Sequence, residues 1–164
     1  MSLRIVETDA ASTRALRRSV LRPSWPPDAA MHGDDNLDAV HLGAFAAGEL
    51  VAACLILPLP YPRRPDVENA WQLRGMAAEP FHRNRGVGAR LLAATVGTAR
   101  GRGGRLMWCE ARTSALRFYA QHGFAVDGPE YLHSESGIPH QLMFRTIDPG
   151  DPVVEPDQVR DTSG

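Results

Sequence analysis

The sequence predicts a single α/β domain in which helices flank a mixed sheet. Short apolar runs typical of strands alternate with segments that repeat apolar residues at helical spacing. Two such runs flank a turn at Gly48 and predict an antiparallel hairpin, whereas a strand, a helix and a second strand follow one another from Trp71 to Cys109. A chain of 164 residues can bury a sizeable core without disulfides or a structural metal.

The charge balance excludes a general attraction to nucleic acids or anionic membranes. Eighteen basic residues face nineteen acidic ones, which gives a net charge of -1, so any anion site has to be local. Cys54 and Cys109 lie inside apolar runs and are expected to be buried rather than paired or metal-bound. No segment approaches the roughly 18 apolar residues of a membrane span, and the N-terminus lacks an apolar signal core. We expect a cytoplasmic protein with no metal, nucleic-acid or membrane partner.

The N-terminal part is predicted to form a strand, a helix and a long loop. Leu3 to Thr8 has strand character, and Thr8 or Asp9 can cap a helix that runs to about Arg22. The segment RALRR is expected to be the solvated face of this helix. The stretch from Pro23 to Asp38 is too rich in Pro, Gly and Asp for a helix and predicts a functional loop. The expected inner stripe of the helix consists of Leu16, Val20 and Leu21.

Three strands are predicted in the middle of the chain. Val40 to Phe45 and Leu50 to Leu57 form the hairpin, and the second of these is apolar along its length, which predicts a central strand. The proline-rich segment PLPYPRRPDVEN cannot continue a sheet and is predicted to be a connection. Strand character resumes from Trp71 to Ala78 and stops at Pro80.

The C-terminal part is predicted to alternate helices and strands. Helical spacing continues after Gly86 as far as the glycines at 100–104, and the apolar LMWC run predicts a buried strand with a parallel neighbour. Ser114 can cap a short helix that ends near His122. The segments AVDG and HQLMFRTI predict a final strand pair, whereas residues 148–164 are polar, contain prolines and predict a disordered tail.

The segment RNRGVG, Arg83 to Gly88, indicates a binding site for a phosphate or pyrophosphate. Glycines let the backbone approach a ligand closely, and a helix N-terminus presents N–H groups that favour anions. A Walker loop would need a lysine and a serine or threonine where this chain has Ala89 and Arg90, and a dinucleotide fingerprint would need a glycine at Leu91. Taken alone, the segment is better explained by a helix that begins at a flexible turn with ordinary surface arginines, and close packing of the helix on the sheet is the alternative role of Gly86 and Gly88.

The same segment resembles the Q/R-x-x-G-x-G/A coenzyme A loop of the GNAT superfamily of N-acetyltransferases. A second segment, SALRFYAQHGF, begins twenty-six residues after Gly88 and resembles the family's A-x-x-(F/L)-Y-x-x-x-G-F motif. The flanking WQLRGMA, LMWCEAR and GIPHQLM are similar to one bacterial subgroup of uncharacterised members. The resemblance covers about residues 3–147 and is strongest from Trp71 to Met143.

The resemblance implies an overall fold and a co-substrate. The fold is α/β, with a mostly antiparallel mixed sheet of about six or seven strands that splays to hold coenzyme A, and with about four flanking helices. Residues 1–147 would form this GNAT-like domain and residues 148–164 the tail. The implied co-substrate is acetyl-CoA, with no metal, and the implied partner is a small-molecule or peptide amine. We expect a monomer or a homodimer.

The resemblance also implies which residues hold coenzyme A. One strand would hydrogen-bond the pantetheine arm as a pseudo-strand, and the backbone amides of the glycine loop would hold the pyrophosphate. Arg112 stands where the family commonly has an asparagine; arginine accepts no hydrogen bond, but it can reach a phosphate or a carboxylate. The predicted set comprises Met76, Ala77, Ala78, Arg83, Asn84, Arg85, Gly86, Val87, Gly88, Ala89 and Arg112.

Tyr119 and His140 are the predicted catalytic residues for direct acetyl transfer to an amine, which forms no covalent enzyme intermediate. By resemblance, Tyr119 would lie beside the coenzyme A sulfur and protonate the departing thiolate; the alternative is that it only packs with Phe118. His140 is ranked first as general base, because an imidazole titrates near neutrality. Glu79, Glu110 and water remain alternatives, and His140 could instead fix a loop.

Two rival functions would use the same coenzyme A loop. An acyltransferase could use a longer acyl-CoA or a hydroxyl acceptor, and a non-catalytic sensor would bind coenzyme A without needing an acid. The acceptor pocket is expected between the loops Pro23 to Asp38 and Tyr131 to His140. These loops mix His, Asp, Glu and Trp, so the sequence does not single out an acceptor.

Overall fold

The computed structural model describes residues 2–26, 29, 31, 33–80 and 85–149. The predicted α/β fold is confirmed, with three α-helices in the described part instead of about four. A short 3₁₀ turn, Thr113–Ala115, leads into the last helix. The elements in chain order are β1 (Leu3–Thr8), α1 (Ala10–Leu21), β2 (Val40–Ala46), β3 (Glu49–Pro58), β4 (Ala70–Ala78), α2 (Val87–Gly101), β5 (Leu106–Arg112), α3 (Leu116–Ala120), β6 (Ala125–Val126), β7 (Tyr131–Leu132) and β8 (Pro139–Thr146).

All eight strands belong to one sheet in the order β1-β2-β3-β4-β5-β8-β6, and β7 pairs with another part of β8. Every pairing is antiparallel except β4 with β5, which is parallel and joins Ala70–Leu73 to Leu106–Cys109. Helix α2 provides the crossover that parallel neighbours require. The hairpin, the central position of β3 and the parallel pair were all expected from the sequence. Strand β7 is an addition, because residues 131–140 were predicted as loop.

The sheet splays between β4 and β5 because their pairing ends at Leu73 and Cys109. Just beyond this point β4 carries a β-bulge, in which Gly75 and Met76 together face Cys54 of β3. Gly75 has a φ of 60°, a conformation that glycine adopts without steric cost. From here β4 follows β3, whereas β5 follows β8, so a gap opens between the two strands.

The main core lies between the sheet and α2, where Leu91, Leu92 and Val96 pack against apolar side chains of β1 to β5. A smaller cluster around Tyr61 and Trp108 covers the other face, since alternate residues of a strand face opposite sides. Both cysteines are free and buried, as predicted. Among the described residues, no helix is long and apolar enough to cross a membrane.

The buried face of α1 differs from the prediction. Thr13 and Arg17 are fully buried. Arg17 lies in the RALRR segment, where a solvated face was expected, yet its Nη1 is 2.8 Å from Oδ1 of Asp34. The prediction was wrong for Arg17 because the loop after α1 supplies a buried carboxylate, which periodicity within the helix cannot reveal. The predicted stripe residues are only half-buried: Leu16, Val20 and Leu21.

Candidate active site

A cavity of about 150 Å³ opens where β4 and β5 separate. Its described wall comes from α1, α3, β3, β4, β5, β8, the loop after α1 and the segment between β7 and β8. The cavity therefore lies at the point where the sheet offers a wedge-shaped opening, as the resemblance implied. The side chains of its wall that can carry charge or exchange a proton include Arg74, Glu110, Arg112, Tyr119, His133 and His140.

The described part of the glycine-rich loop, residues 85–88, lies at the N-terminus of α2 and does not line this cavity. Gly86 is the N-cap with φ 76°, and a Cβ added there would meet no atom within 4 Å. Gly88 is different, because a Cβ there would lie 3.3 Å from the ring of Phe118 on α3. Gly86 thus provides a left-handed turn facing open space, and Gly88 permits close packing against α3, not against the sheet. Arg83 and Asn84 lie outside the described residues.

The open space at Gly86 fits a bulky anion. The first backbone hydrogen bond within α2 runs from the amide of Arg90 to the carbonyl of Gly86 (3.1 Å). The amides of Val87, Gly88 and Ala89 precede it and so have no partner within the helix. Arg85 is exposed beside them. Their contact with a pyrophosphate remains a prediction.

The predicted pantetheine strand continues β4 past the last residue that pairs with β5. Met76 lines the cavity and packs, with Ala78, against the main core. Ala77 is buried and pairs with Ala53 of β3. One edge of this segment is therefore occupied by β3, and the other faces the splay. This is the placement that a pseudo-strand would need, although hydrogen bonds to a pantetheine arm remain a prediction.

Tyr119 is 7% exposed and reaches the cavity from the middle of α3. The rings of Phe118 and Phe124 lie edge-on to it at 5.2 and 5.6 Å, so the packing role considered for this residue is present. Burial raises the pKa of Tyr119 well above its ordinary value, and the phenol stays protonated near neutrality. A protonated phenol beside a cavity can donate a hydrogen bond.

His140 is 5% exposed at the start of β8 and belongs to a cluster of titratable side chains. Its Nδ1–H donates a hydrogen bond to the carbonyl oxygen of Ile138, 2.7 Å away, and this leaves Nε2 as the basic nitrogen. The ring of His133 lies 4.6 Å away. Burial lowers the pKa of His140 below 6.5 and outweighs the hydrogen bond to Ile138, which raises it; His133 and Arg112 lower the pKa further, and Glu110 opposes them. The imidazole is therefore neutral near pH 7 and can take a proton.

Glu110 on β5 is the other candidate base that lines the cavity. It accepts a 2.6 Å hydrogen bond from the hydroxyl of Tyr131, and its carboxylate lies 3.7 Å from Nε2 of His133. Both partners come from the segment predicted as a loop, so the sequence could not show that this carboxylate is engaged. Glu79 follows β4, where its amide donates to the carbonyl of Val51, and it does not line the cavity.

Arg112 and Arg74 are two further charged residues that line the cavity. Arg112 donates from Nη2 to the carbonyl of Leu21 at 3.0 Å, so its guanidinium connects β5 to the end of α1. A phosphate contact for it remains a prediction. Arg74 on β4 was not singled out from the sequence. Its signal was a lone charged residue inside the apolar WQLRGMA segment.

Comparison with known proteins agrees with this architecture. Residues 10–124 match the model of the Acetyltransferase (GNAT) family. The uncharacterized N-acetyltransferase YitI of Bacillus subtilis (strain 168) is 25% identical over 146 residues, which cover 88% of this chain and 97% of that protein.

Two solved structures share the fold at lower identity. An aminoglycoside 6′-N-acetyltransferase complexed with coenzyme A has a TM-score of 0.66 at 19% identity, covering 88% of this chain and 97% of that one. An acyl-CoA N-acyltransferase from Pseudomonas aeruginosa has a TM-score of 0.68 at 22% identity, covering 88% and 99%. With the family model matching more than half of its length, the chain belongs to the acetyltransferase (GNAT) family.

Proposed function

We propose that the protein is an N-acetyltransferase that moves the acetyl group of acetyl-CoA directly to an acceptor amine, without a covalent enzyme intermediate. One observation carries the proposal: the sheet splays between β4 and β5, and the cavity that opens there holds a neutral histidine and a protonated tyrosine. Family membership supports a coenzyme A-type co-substrate. The relative solved with coenzyme A supports it further.

The residues present fit such a co-substrate. The open space at Gly86 and the amides at the start of α2 suit its pyrophosphate, and the edge of β4 from Met76 to Ala78 suits the amide groups of its pantetheine arm. Acetyl-CoA supplies an activated acetyl thioester. Direct transfer forms the new C–N bond and breaks the C–S bond, so the chain has to remove one proton from the amine and deliver one to the sulfur.

His140 and Tyr119 are assigned to these two proton transfers. Nε2 of His140 accepts the proton of the amine, because the hydrogen bond from Nδ1 to Ile138 fixes the tautomer in which Nε2 carries the lone pair. The hydroxyl of Tyr119, which is protonated near neutrality, donates to the departing thiolate. Cys109 takes no part as a nucleophile, since it is fully buried and burial raises the pKa of its thiol.

A turnover assay tests the proposal. Purified protein and acetyl-CoA are incubated with a panel of amines, and free thiol release is followed together with the mass of the product. The chain contains no lysine, so acetylation of its own lysine side chains adds no background. We expect thiol release that depends on at least one amine and yields the N-acetylated product. Coenzyme A binding without turnover on any amine would instead support the sensor, and a product acylated on oxygen would support the hydroxyl-directed enzyme.

A further inference from the structure

The arginines of the cavity wall differ in what they bind. Arg17 is paired with Asp34 at 2.8 Å, and Arg22 lies 3.6 Å from Glu135. The guanidinium of Arg112 donates to the carbonyl of Leu21. Of the four described arginines that line the cavity, three therefore have protein partners.

Arg74 is the exception within the described part of the chain. It lies on β4 directly before the bulge, is half-buried and lines the cavity, yet no described residue forms a hydrogen bond or an ion pair with its side chain. Burial lowers the pKa of Arg74, against the opposing attraction of Glu110 and Glu135. A guanidinium nevertheless stays charged at neutral pH. The charge is therefore available to a ligand in the cavity.

Gln72 lies on the same face of β4, two residues earlier, and is also incompletely satisfied. It is 2% exposed, lines the cavity, and its Oε1 has no hydrogen-bond partner among the described residues. Buried amide oxygens are nearly always paired in native proteins, so this one points to a ligand that carries an N–H donor. The β4 wall thus presents one cation, the guanidinium of Arg74, and one hydrogen-bond acceptor, Oε1 of Gln72.

The opposite wall offers the complementary groups. Glu110 on β5 and His140 on β8 face the cavity across the splay, and both can receive or share a proton of an amine. A guanidinium binds a carboxylate through two parallel hydrogen bonds, which an ammonium or a neutral group cannot reproduce. The two walls therefore suit the two ends of one small molecule.

Building on the proposed function, we infer that the acceptor is a small molecule that carries both an amine and a carboxylate. Arg74 binds the carboxylate at the β4 wall. The amine then lies toward His140 and Glu110, where it is deprotonated. Arg74 acts on acceptor binding and has no part in proton transfer.

The test compares three acceptors that differ only at one end: an α-amino acid, its amide, and the amine that lacks the carboxyl group. A panel of such triplets covers several side chains. We expect wild-type kcat/KM to favour the acid by about 10- to 100-fold within the best triplet, because a hydrogen-bonded charge pair is lost in the other two. Arg74→Gln should remove this preference, mainly through KM, and Arg74→Lys should restore part of it. Acetyl-CoA affinity should be unchanged in both variants.

Arg102→Gln is the matched control, because Arg102 pairs with Glu7 outside the cavity. Circular dichroism melting establishes that each variant is folded. Equal kcat/KM within every triplet, or a preference that survives in Arg74→Gln, would overturn the inference. Turnover only on amines without a carboxylate would overturn it while leaving the proposed function intact.

If no acceptor turns over, a binding measurement can still test the carboxylate site separately from the proposed enzyme activity. Calorimetry measures the binding of the N-acetylated amino acid, which needs no catalysis. Binding to wild type but not to Arg74→Gln would support the carboxylate site on its own. Absence of binding to both, across the same side-chain panel, would overturn the inference.

Discussion

The proposed roles of Tyr119 and His140 depend on the surroundings of these side chains. Tyr119 and His140 have ordinary functional groups; burial raises the pKa of the phenol and lowers that of the imidazole, which strengthens the preference for the protonated phenol and the neutral imidazole near pH 7. The sequence could indicate both positions because each lies in a recognisable segment. It could not indicate Arg74, Gln72 or the engagement of Glu110, because their roles depend on which strands flank the splay.

Replacing Tyr119 with phenylalanine should lower turnover by about 100-fold or more. The ring would remain between Phe118 and Phe124, so the melting temperature and the acetyl-CoA affinity should change little. Steady-state kinetics and calorimetry measure these quantities. Tyr61→Phe is the control, since its hydroxyl binds Asp127 away from the cavity and turnover should persist. Wild-type turnover in Tyr119→Phe would mean that the proton of the thiolate comes from another group.

The activity should depend on the ionisation of His140. Its imidazolium form cannot accept a proton, so kcat/KM should be lost as the pH falls through the pKa of His140, which lies below the ordinary 6.5. A pH–rate profile from about pH 5 to 8 measures this acidic limb. His140→Gln should abolish that limb together with most of the activity. An unchanged acidic limb in the variant would assign the base to Glu110 or to water.

Gly86 offers a matched test of the pyrophosphate loop. Asparagine and aspartate both tolerate its left-handed conformation, and open space surrounds the site, so Gly86→Asn and Gly86→Asp should fold alike. Only aspartate adds a negative charge where phosphates are expected. The Gly86→Asp variant should therefore bind coenzyme A about tenfold or more weakly than the Gly86→Asn variant, as measured by calorimetry. Equal affinities would remove the phosphate assignment from this loop.

At the scale of secondary-structure elements, the bulge in β4 is what directs β4 away from β5. Hydrophobic patterns predicted the strands on both sides of it, since apolar runs and glycine-containing turns are local signals. They could not predict β7, which has two residues and exists only because β8 supplies its hydrogen-bond partner. Nor could they assign the buried face of α1, where a charged Arg17 replaces the expected leucines through its pairing with Asp34.

Gly75→Ala should therefore weaken coenzyme A binding as well as stability. An alanine at φ 60° costs about 1–2 kcal/mol, and its Cβ would lie 3.3 Å from Cδ of Arg17. Gly48→Ala is the control, because Gly48 also has a positive φ, lies in the β2–β3 turn and has no neighbour within 4 Å of an added Cβ. Both variants should melt a few degrees lower, and only Gly75→Ala should lose affinity by calorimetry. Equal affinities would show that the bulge does not shape the cleft.

At the scale of the whole molecule, the resemblance to a family supplied what local patterns lack. Apolar runs gave no strand order and no pairing partner for the C-terminal strands, because those depend on contacts far apart in the chain. The two motifs, RNRGVG and SALRFYAQHGF, indicated the splayed sheet and the opening of the cavity. Neither the local patterns nor the resemblance could predict how charge is distributed over the cavity wall, since the charged residues come from five separate segments.

The short parallel pairing of β4 with β5 has a consequence for the order in which the protein folds. Strands β2, β3 and β4 adjoin one another through antiparallel pairings, whereas the β4–β5 junction of four residue pairs requires the whole of α2 to be in place. Because of the loop-closure entropy, we expect such a junction to form late during folding. Because it has few hydrogen bonds, we expect it to be among the first parts of the sheet to open in local unfolding. We expect amide exchange to be slowest in β3 and faster at the junction. The cavity would then lie along the line where the two halves of the sheet join last.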